Sequence, residues 1–303
     1  MAPHHTAQTM TTEANPNAAL GLTPAADAPA QPRLQEGFPG ARLALRVHWP
    51  EYLMEAAELG AFMVSACLFT ALFEYPGSPV RQALASAALR RALTGLAMGL
   101  TAIAIIYSPW GKQSGAHFNP AATLTFFRLG KIAGWDALFY MAAQFAGAAL
   151  GVAASAALLG RVIADPSVGF AVTAIGPAGT FAAFAAETFM AALLMTVVLR
   201  LAGHERLGRY TGMVAGALVA LYIAVEAPIS GMSINPARTF GSAVWARTWQ
   251  GFWLYLIAPP IGMLAASQLH LWWRGHASVP CAKFHHFNDK RCIHCRAAGA
   301  NAL

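Results

Sequence analysis

The tripeptide Asn-Pro-Ala occurs twice, at 119–121 and 235–237, each time in an apolar stretch too short to cross a bilayer. Asparagine is a strong helix N-cap and proline is preferred at the first helical position, so each copy reads as a helix start. The helices that follow, near 120–128 and 236–246, have about half the length of the roughly 20 residues a span needs. The preceding residues also match: Ser114-Gly115-Ala116-His117-Phe118 against Ser230-Gly231-Met232-Ser233-Ile234. A motif repeated with its context predicts an internal repeat.

Six longer apolar segments surround these stretches, near 51–74, 85–107, 134–160, 179–201, 209–228 and 250–273. Each is long enough to cross a hydrocarbon core of about 30 Å. Apolar residues make up 57% of the chain and charged residues 11%, with a mean hydropathy of +0.48. Soluble domains carry about 25% charged residues, so an all-α integral membrane protein is expected. Four cysteines are too few for a disulfide scaffold. The net charge of +7 does not call for a nucleic-acid partner, because Lys and Arg fall mostly between the apolar segments.

Each repeat, about 50–160 and 179–273, holds three spans and one short hairpin. Three is odd, so the copies have opposite topology and form an inverted repeat. With the N-terminus inside, the inside segments hold 14 of the 20 Lys and Arg residues, which favours both termini in the cytoplasm and the plasma (inner) membrane as location. Arg90 and Arg91 fall on the other side. Residues 1–49 are rich in Ala, Pro, Thr and Gln without periodicity and read as a disordered tail. They contain no basic region followed by an apolar run, so no cleaved signal peptide is expected.

Two half-helices entering from opposite sides meet N-terminus to N-terminus. Irregular backbone at that depth is tolerated only inside protein or along a water-filled cavity, so the meeting point predicts a pore or a binding site. Each N-terminus brings about half a positive charge. Asn119 and Asn235 add amide donors aimed at the lumen. Such a site repels cations and accepts neutral polar solutes.

The six spans, both Asn-Pro-Ala hairpins, Glu58, Glu187, and Gln144 in Tyr140-Met-Ala-Ala-Gln-Phe-Ala-Gly resemble the aquaporin (major intrinsic protein) family. Asn235-Pro236-Ala237-Arg238-Thr-Phe-Gly-Ser-Ala-Val is similar to that family's second motif almost throughout, and the resemblance covers about 51–273. It implies six transmembrane helices with two re-entrant half-helices, a homotetramer with one pore per subunit, passive flux of water and small neutral solutes through the lipid bilayer, and no cofactor. It also implies a selectivity filter in which Arg238 is the chief polar group. By alignment to the motifs its partners are Ile223, Met232, and either Gly99 or Met98. Strict water channels have an aromatic residue in the second helix and histidine in the fifth, and this chain has neither. The filter therefore resembles the solute-conducting branches: water, glycerol, urea or undissociated metalloid acids. A strict water channel with an atypical filter is the alternative. Thr239, where the glycerol-facilitator branch has Asp, speaks against that branch.

Glu58 and Glu187 lie within spans, where an ionisable group needs partners. Each is expected to accept backbone N–H bonds from its hairpin. A coupled secondary transporter, which shares the inverted-repeat logic, needs carboxylates along its route, and these two are assigned to the loops. No nucleophile–base pair or catalytic metal motif falls within the spans, so no enzymatic activity is expected. The tail 276–303 holds Cys281, His285, His286, Cys292, His294 and Cys295. Cys292-Ile-His-Cys295 has the spacing of half a zinc site. The tail reads either as a solvated basic segment with thiols or as a zinc site built on Cys281, His285, Cys292 and Cys295.

Overall fold

The computed structural model describes residues 40–295, and they are helical with no strands among them. Ten α-helices follow in order: α1 Ala41–Glu74, α2 Pro79–Ala83, α3 Ala87–Tyr107, α4 Pro109–Ser114, α5 Pro120–Arg128, α6 Gly134–Leu159, α7 Gly179–Ala202, α8 Thr211–Ser230, α9 Pro236–Ala246 and α10 Phe252–Arg274. Six of them, α1, α3, α6, α7, α8 and α10, are long and apolar enough to span a membrane. The short α5 and α9 are the two half-helices.

The spanning helices pair where glycines let backbones touch. A Cβ on Gly147 of α6 would lie 2.1 Å from the Ala56 carbonyl of α1, and one on Gly151 would lie 2.4 Å from that of Gly60. In the second repeat, α10 meets α7 at Gly262, whose Cβ would stand 2.1 Å from the Thr188 oxygen. Helices α3 and α8, one from each repeat, meet at Gly95 and Gly99 against the oxygens of Ala220 and Gly216, each 2.5 Å from the missing Cβ. Without a hydrophobic force between helices in lipid, such close van der Waals packing is what holds a bundle together.

The residues expected to belong to a disordered tail divide. Residues 1–39 lie outside the described residues. Residues 41–49 are the first turns of α1, which begins well before 51 and carries Pro50 inside it. This extension is fixed from the side: His48 Nδ1 donates to Asp136 at 2.9 Å and the Tyr52 hydroxyl donates to the same oxygen at 2.6 Å. The periodic segment was legible only from Glu51 because Arg42, Arg46 and Pro50 interrupt it.

Arg90 and Arg91, which run against the expected charge asymmetry, both have structural partners. Proline lacks an N–H and strands the carbonyl four residues earlier. Pro228 in α8 strands Ala224, whose oxygen accepts Arg91 Nε at 3.0 Å. Arg90 is buried, pairs with Glu74 at 3.2 Å and donates to the oxygens of Leu84 and Ala85.

Overpacking a closed interface costs about 1–3 kcal/mol or more. Gly147→Val is expected to lower the melting temperature of the purified protein by several degrees and to reduce membrane yield. Gly134→Ala, whose Cβ meets only the Phe127 ring at 3.5 Å, should leave both unchanged. Equal behaviour of the two variants would contradict the packing described.

Candidate functional site

Both hairpins approach the bundle centre with the same backbone. Gly115, Ala116 and Phe118 have φ of +111°, +55° and +29°, and Gly231, Met232 and Ile234 have +76°, +50° and +47°. Left-handed non-glycine residues cost of order 1–3 kcal/mol each and persist only where their surroundings over-determine them. Here the surroundings are buried carboxylates. Glu187 Oε1 accepts the Ser230 hydroxyl at 2.7 Å and the Ser233 N–H at 2.7 Å, and Oε2 accepts the Ile234 N–H at 2.6 Å.

In the first repeat two residues divide that work. The N–H groups of His117 and Phe118 go to Glu55, at 2.9 and 2.7 Å, and Gln144 Nε2 donates to Glu55 at 2.7 Å. Glu58 takes only the Ser114 hydroxyl, at 2.8 Å. The expectation that Glu58 holds the loop backbone is therefore corrected: Glu55, one turn earlier on the same buried face of α1, does so. The spacing Glu51, Glu55, Glu58 was the available signal. Two tyrosines missed in the sequence complete the symmetry. Tyr140 of α6 donates to the Ser114 oxygen at 2.8 Å and Tyr255 of α10 to the Ser230 oxygen at 2.6 Å.

The two asparagines tie the hairpins to each other. Asn119 Oδ1 caps α5 by accepting the Ala121 N–H at 2.9 Å, while its Nδ2 donates to the Ile234 oxygen at 2.8 Å. Asn235 Oδ1 accepts the Ala237 and Arg238 N–H groups, and its Nδ2 donates to the Phe118 oxygen at 2.7 Å. Pro120 and Pro236 occupy the first helical position after each cap, and Ala121 and Ala237 are buried where the two helix starts meet. An amide has two hydrogens. One on each asparagine crosses to the other hairpin, which leaves one for the lumen rather than the whole group.

A cavity of about 530 Å³ runs past this junction, and Asn119, Asn235, Arg238, Ile223, Met232 and Met98 all line it. Gly99 does not: its missing Cβ faces Gly216 and Ala220 of α8, so of the two alternatives Met98 faces the cavity and Gly99 serves packing. Arg238 Nη1 is buried without a hydrogen-bond partner among the described residues. An intramembrane guanidinium with an open donor on a largely apolar cavity is a functional candidate. Thr239 is turned away, bonded to Thr173 and Ser233 hydroxyls.

The tail is not a solvated segment. Val279, Cys281, Ala282, Lys283, Phe284, Cys292 and His294 are buried, and 279–295 packs on the first hairpin. His117 Nε2 donates to the Ala282 oxygen at 2.6 Å, and the Phe284 N–H donates to the Gly115 oxygen at 3.1 Å. Ligand-type atoms of Cys281, His286, Cys292 and Cys295 lie within 4.8 Å of one another. His286 thus replaces His285 in the expected set. His285 instead lies edge-on to Tyr107, ring centroids 5.2 Å apart.

Six spans around two capped half-helices that share one lined cavity define a multi-pass integral membrane protein built as an inverted repeat. A profile of the major intrinsic protein family matches residues 54–270, and the chain belongs to that family. It is 36% identical over 170 residues to a probable NIP-type aquaporin of Nicotiana alata, a match covering 56% of this chain and 61% of that one. It is 38% identical over 183 residues to the probable aquaporin AqpM of Archaeoglobus fulgidus, covering 58% and 74%. The chain thus spans less than two thirds of the Nicotiana relative's own length. The structure superposes on the aquaglyceroporin of Plasmodium falciparum with a TM-score of 0.62 at 21% identity, covering 74% of this chain and 95% of that one, a likeness of fold.

A buried donor left without an acceptor costs about 1–3 kcal/mol. Glu187→Ala strands three donors and Glu58→Ala one, so the first is expected to lower the melting temperature clearly more than the second. Equal shifts would contradict the division of work between Glu55 and Glu58.

Proposed function

We propose that this protein is a passive channel for water and small neutral solutes such as glycerol, urea or undissociated metalloid acids, and not an enzyme. The observation that carries the reading is the cavity lined at once by two half-helix N-termini, by Arg238 and by the apolar side chains of Met98, Ile223 and Met232. Family membership supports it. A solute that shed part of its hydration would exchange hydrogen bonds with Asn119, Asn235 and Arg238 in turn. Two positive helix ends and a guanidinium disfavour a cation at the same place. Because the two dipoles point at each other, a proton meets a positive maximum at the junction.

The filter role of Arg238, Ile223, Met232 and Met98 is part of this proposal. Methionine and isoleucine leave one wall apolar and without a second donor, which suits solutes wider than water that carry an apolar face. Both termini face the cytoplasm of a plasma (inner) membrane in this reading, as the Lys and Arg distribution favours. The structural partners of Arg90 and Arg91 remove the two residues that count most against it. A homotetramer and the absence of a cofactor for conduction rest on family likeness. The carboxylates Glu55, Glu58 and Glu187 have loop partners, which favours passive flux over ion-coupled transport.

The test is stopped-flow light scattering on proteoliposomes, with a water gradient and then a glycerol or urea gradient on the same preparation. Flux of both is the expected result. Water flux alone would replace the wide filter with the strict-water alternative, and flux of neither would overturn the channel reading. Ile223→His adds a polar group and narrows the wall. Size and polarity selection in a pocket is worth about 1–3 kcal/mol, so glycerol flux should fall about tenfold while water flux changes much less. Equal loss of both would remove Ile223 from the filter.

A further inference from the structure

The four ligand-type residues of the tail alternate with residues that touch the first hairpin. Cys281 precedes Ala282, which receives the His117 Nε2 bond, and Phe284, whose N–H reaches Gly115. Cys292 and Cys295 bracket His294, whose Nε2 donates to the Ser114 oxygen at 3.1 Å. The imidazole whose ligand atom lies within 4.8 Å of the three sulfurs is that of His286. Lys283 is buried and donates to the Lys112 and Arg291 oxygens, and Arg291 pairs with Glu51 of α1 at 3.2 Å. Phe284 packs on His117 and Phe126 and lines the same cavity as Asn119 and Arg238.

The strap is tied to the bundle by these contacts, but it has no regular element of its own. Residues 279–295 contain no α-helix or strand, and a segment this short cannot build its own apolar core. The sulfurs of Cys281 and Cys292 are 3.3 Å apart, well beyond the roughly 2.05 Å of a disulfide bond. They are also slightly closer than the roughly 3.8 Å edge that a tetrahedron with Zn–S bonds of about 2.3 Å gives. Three thiolates and one imidazole are a ligand set of structural zinc sites. Three thiolate charges on a divalent ion leave one net negative charge, and Lys131 lies within electrostatic reach of Cys281, with Lys283 on the strap itself.

We propose that Cys281, His286, Cys292 and Cys295 bind a single tetrahedral zinc ion, and that this ion clamps residues 279–295 over the tail-side mouth of the cavity, with Phe284 as part of its wall. The zinc site stands on the tail alone. Its effect on flux rests on the channel reading above, and the two are measured separately.

The experiment uses the full-length protein purified in detergent without added chelator. Metal analysis is expected to find one zinc per chain in the wild type and in His285→Ala, and its loss in His286→Ala and in the double variant Cys292→Ser/Cys295→Ser. Replacement by Co²⁺ should give thiolate-to-cobalt charge-transfer bands and intense tetrahedral ligand-field bands, both lost in the same variants. Trypsin gives a readout on wild-type protein that needs no variant to fold: cleavage after Lys283, Lys290 and Arg291 is expected only once zinc has been stripped. Zinc no higher in the wild type than in the double variant, or a Cys281–Cys292 disulfide found by mass spectrometry, would overturn the site. Zinc bound equally by His286→Ala would overturn the ligand set. Identical tryptic patterns with and without zinc would overturn the clamp. In proteoliposomes that conduct, stripping zinc should raise water flux reversibly, with zinc restoring the lower rate. Flux indifferent to zinc while the metal is bound would remove the strap from the conduction path, and failure of all flux would count against the channel reading and not against the metal.

Discussion

Glu55 and Glu187 each hold a stretch of non-helical backbone in the middle of a membrane bundle, and the site depends on them. A loop at that depth has N–H groups that neither water nor a neighbouring strand can satisfy, and each such group costs several kcal/mol in hydrocarbon. A carboxylate accepts several hydrogen bonds at once, so one residue per repeat can take two adjacent N–H groups. With the loops fixed, the left-handed residues at 115–118 and 231–234 are held, the asparagine caps face each other, and the half-helices α5 and α9 start at the same point.

The reciprocal bonds from Asn119 to Ile234 and from Asn235 to Phe118 close this arrangement. Each asparagine caps its own helix with its oxygen and grips the other hairpin with its nitrogen. The junction is therefore one cross-linked unit, and the lumen meets a single amide hydrogen from each side. Around it the chain uses the cheapest lipid-compatible packing, glycine against carbonyl, at Gly147, Gly151 and Gly262 within repeats and at Gly95 and Gly99 between them. Gly99 shows how the two demands share neighbouring residues. It packs α3 on α8, and this turns Met98 toward the cavity.

The tail adds a second layer on one face. It is joined to the first hairpin through His117, Gly115 and Ser114, the same loop that Glu55 and Glu58 hold from the other side. The second hairpin has Ser233 where the first has His117, and its network closes within the bundle through Thr239 and Thr173. The pseudo-symmetry is thus broken at His117 among other positions, and His117 is one of the contact points for the strap.

Much of this was legible in the sequence. Six apolar runs set the number of spans, because length and hydropathy alone decide what can cross a bilayer. Two Asn-Pro-Ala copies set the half-helices and their caps, because capping is local chemistry. An odd number of spans per copy set the inversion. The tertiary structure decided what depends on a helix's rotation or on contact across distant segments. Glu55 rather than Glu58 takes the loop N–H groups, and Met98 rather than Gly99 faces the cavity, because a shift of a few residues on a helix turns a side chain to another face. The extension of α1 before Glu51 is held from the side by Asp136, 84 residues beyond Tyr52. The choice of His286 over His285 depends on how an irregular strap folds, and irregular backbone has no period from which a side chain's direction can be read.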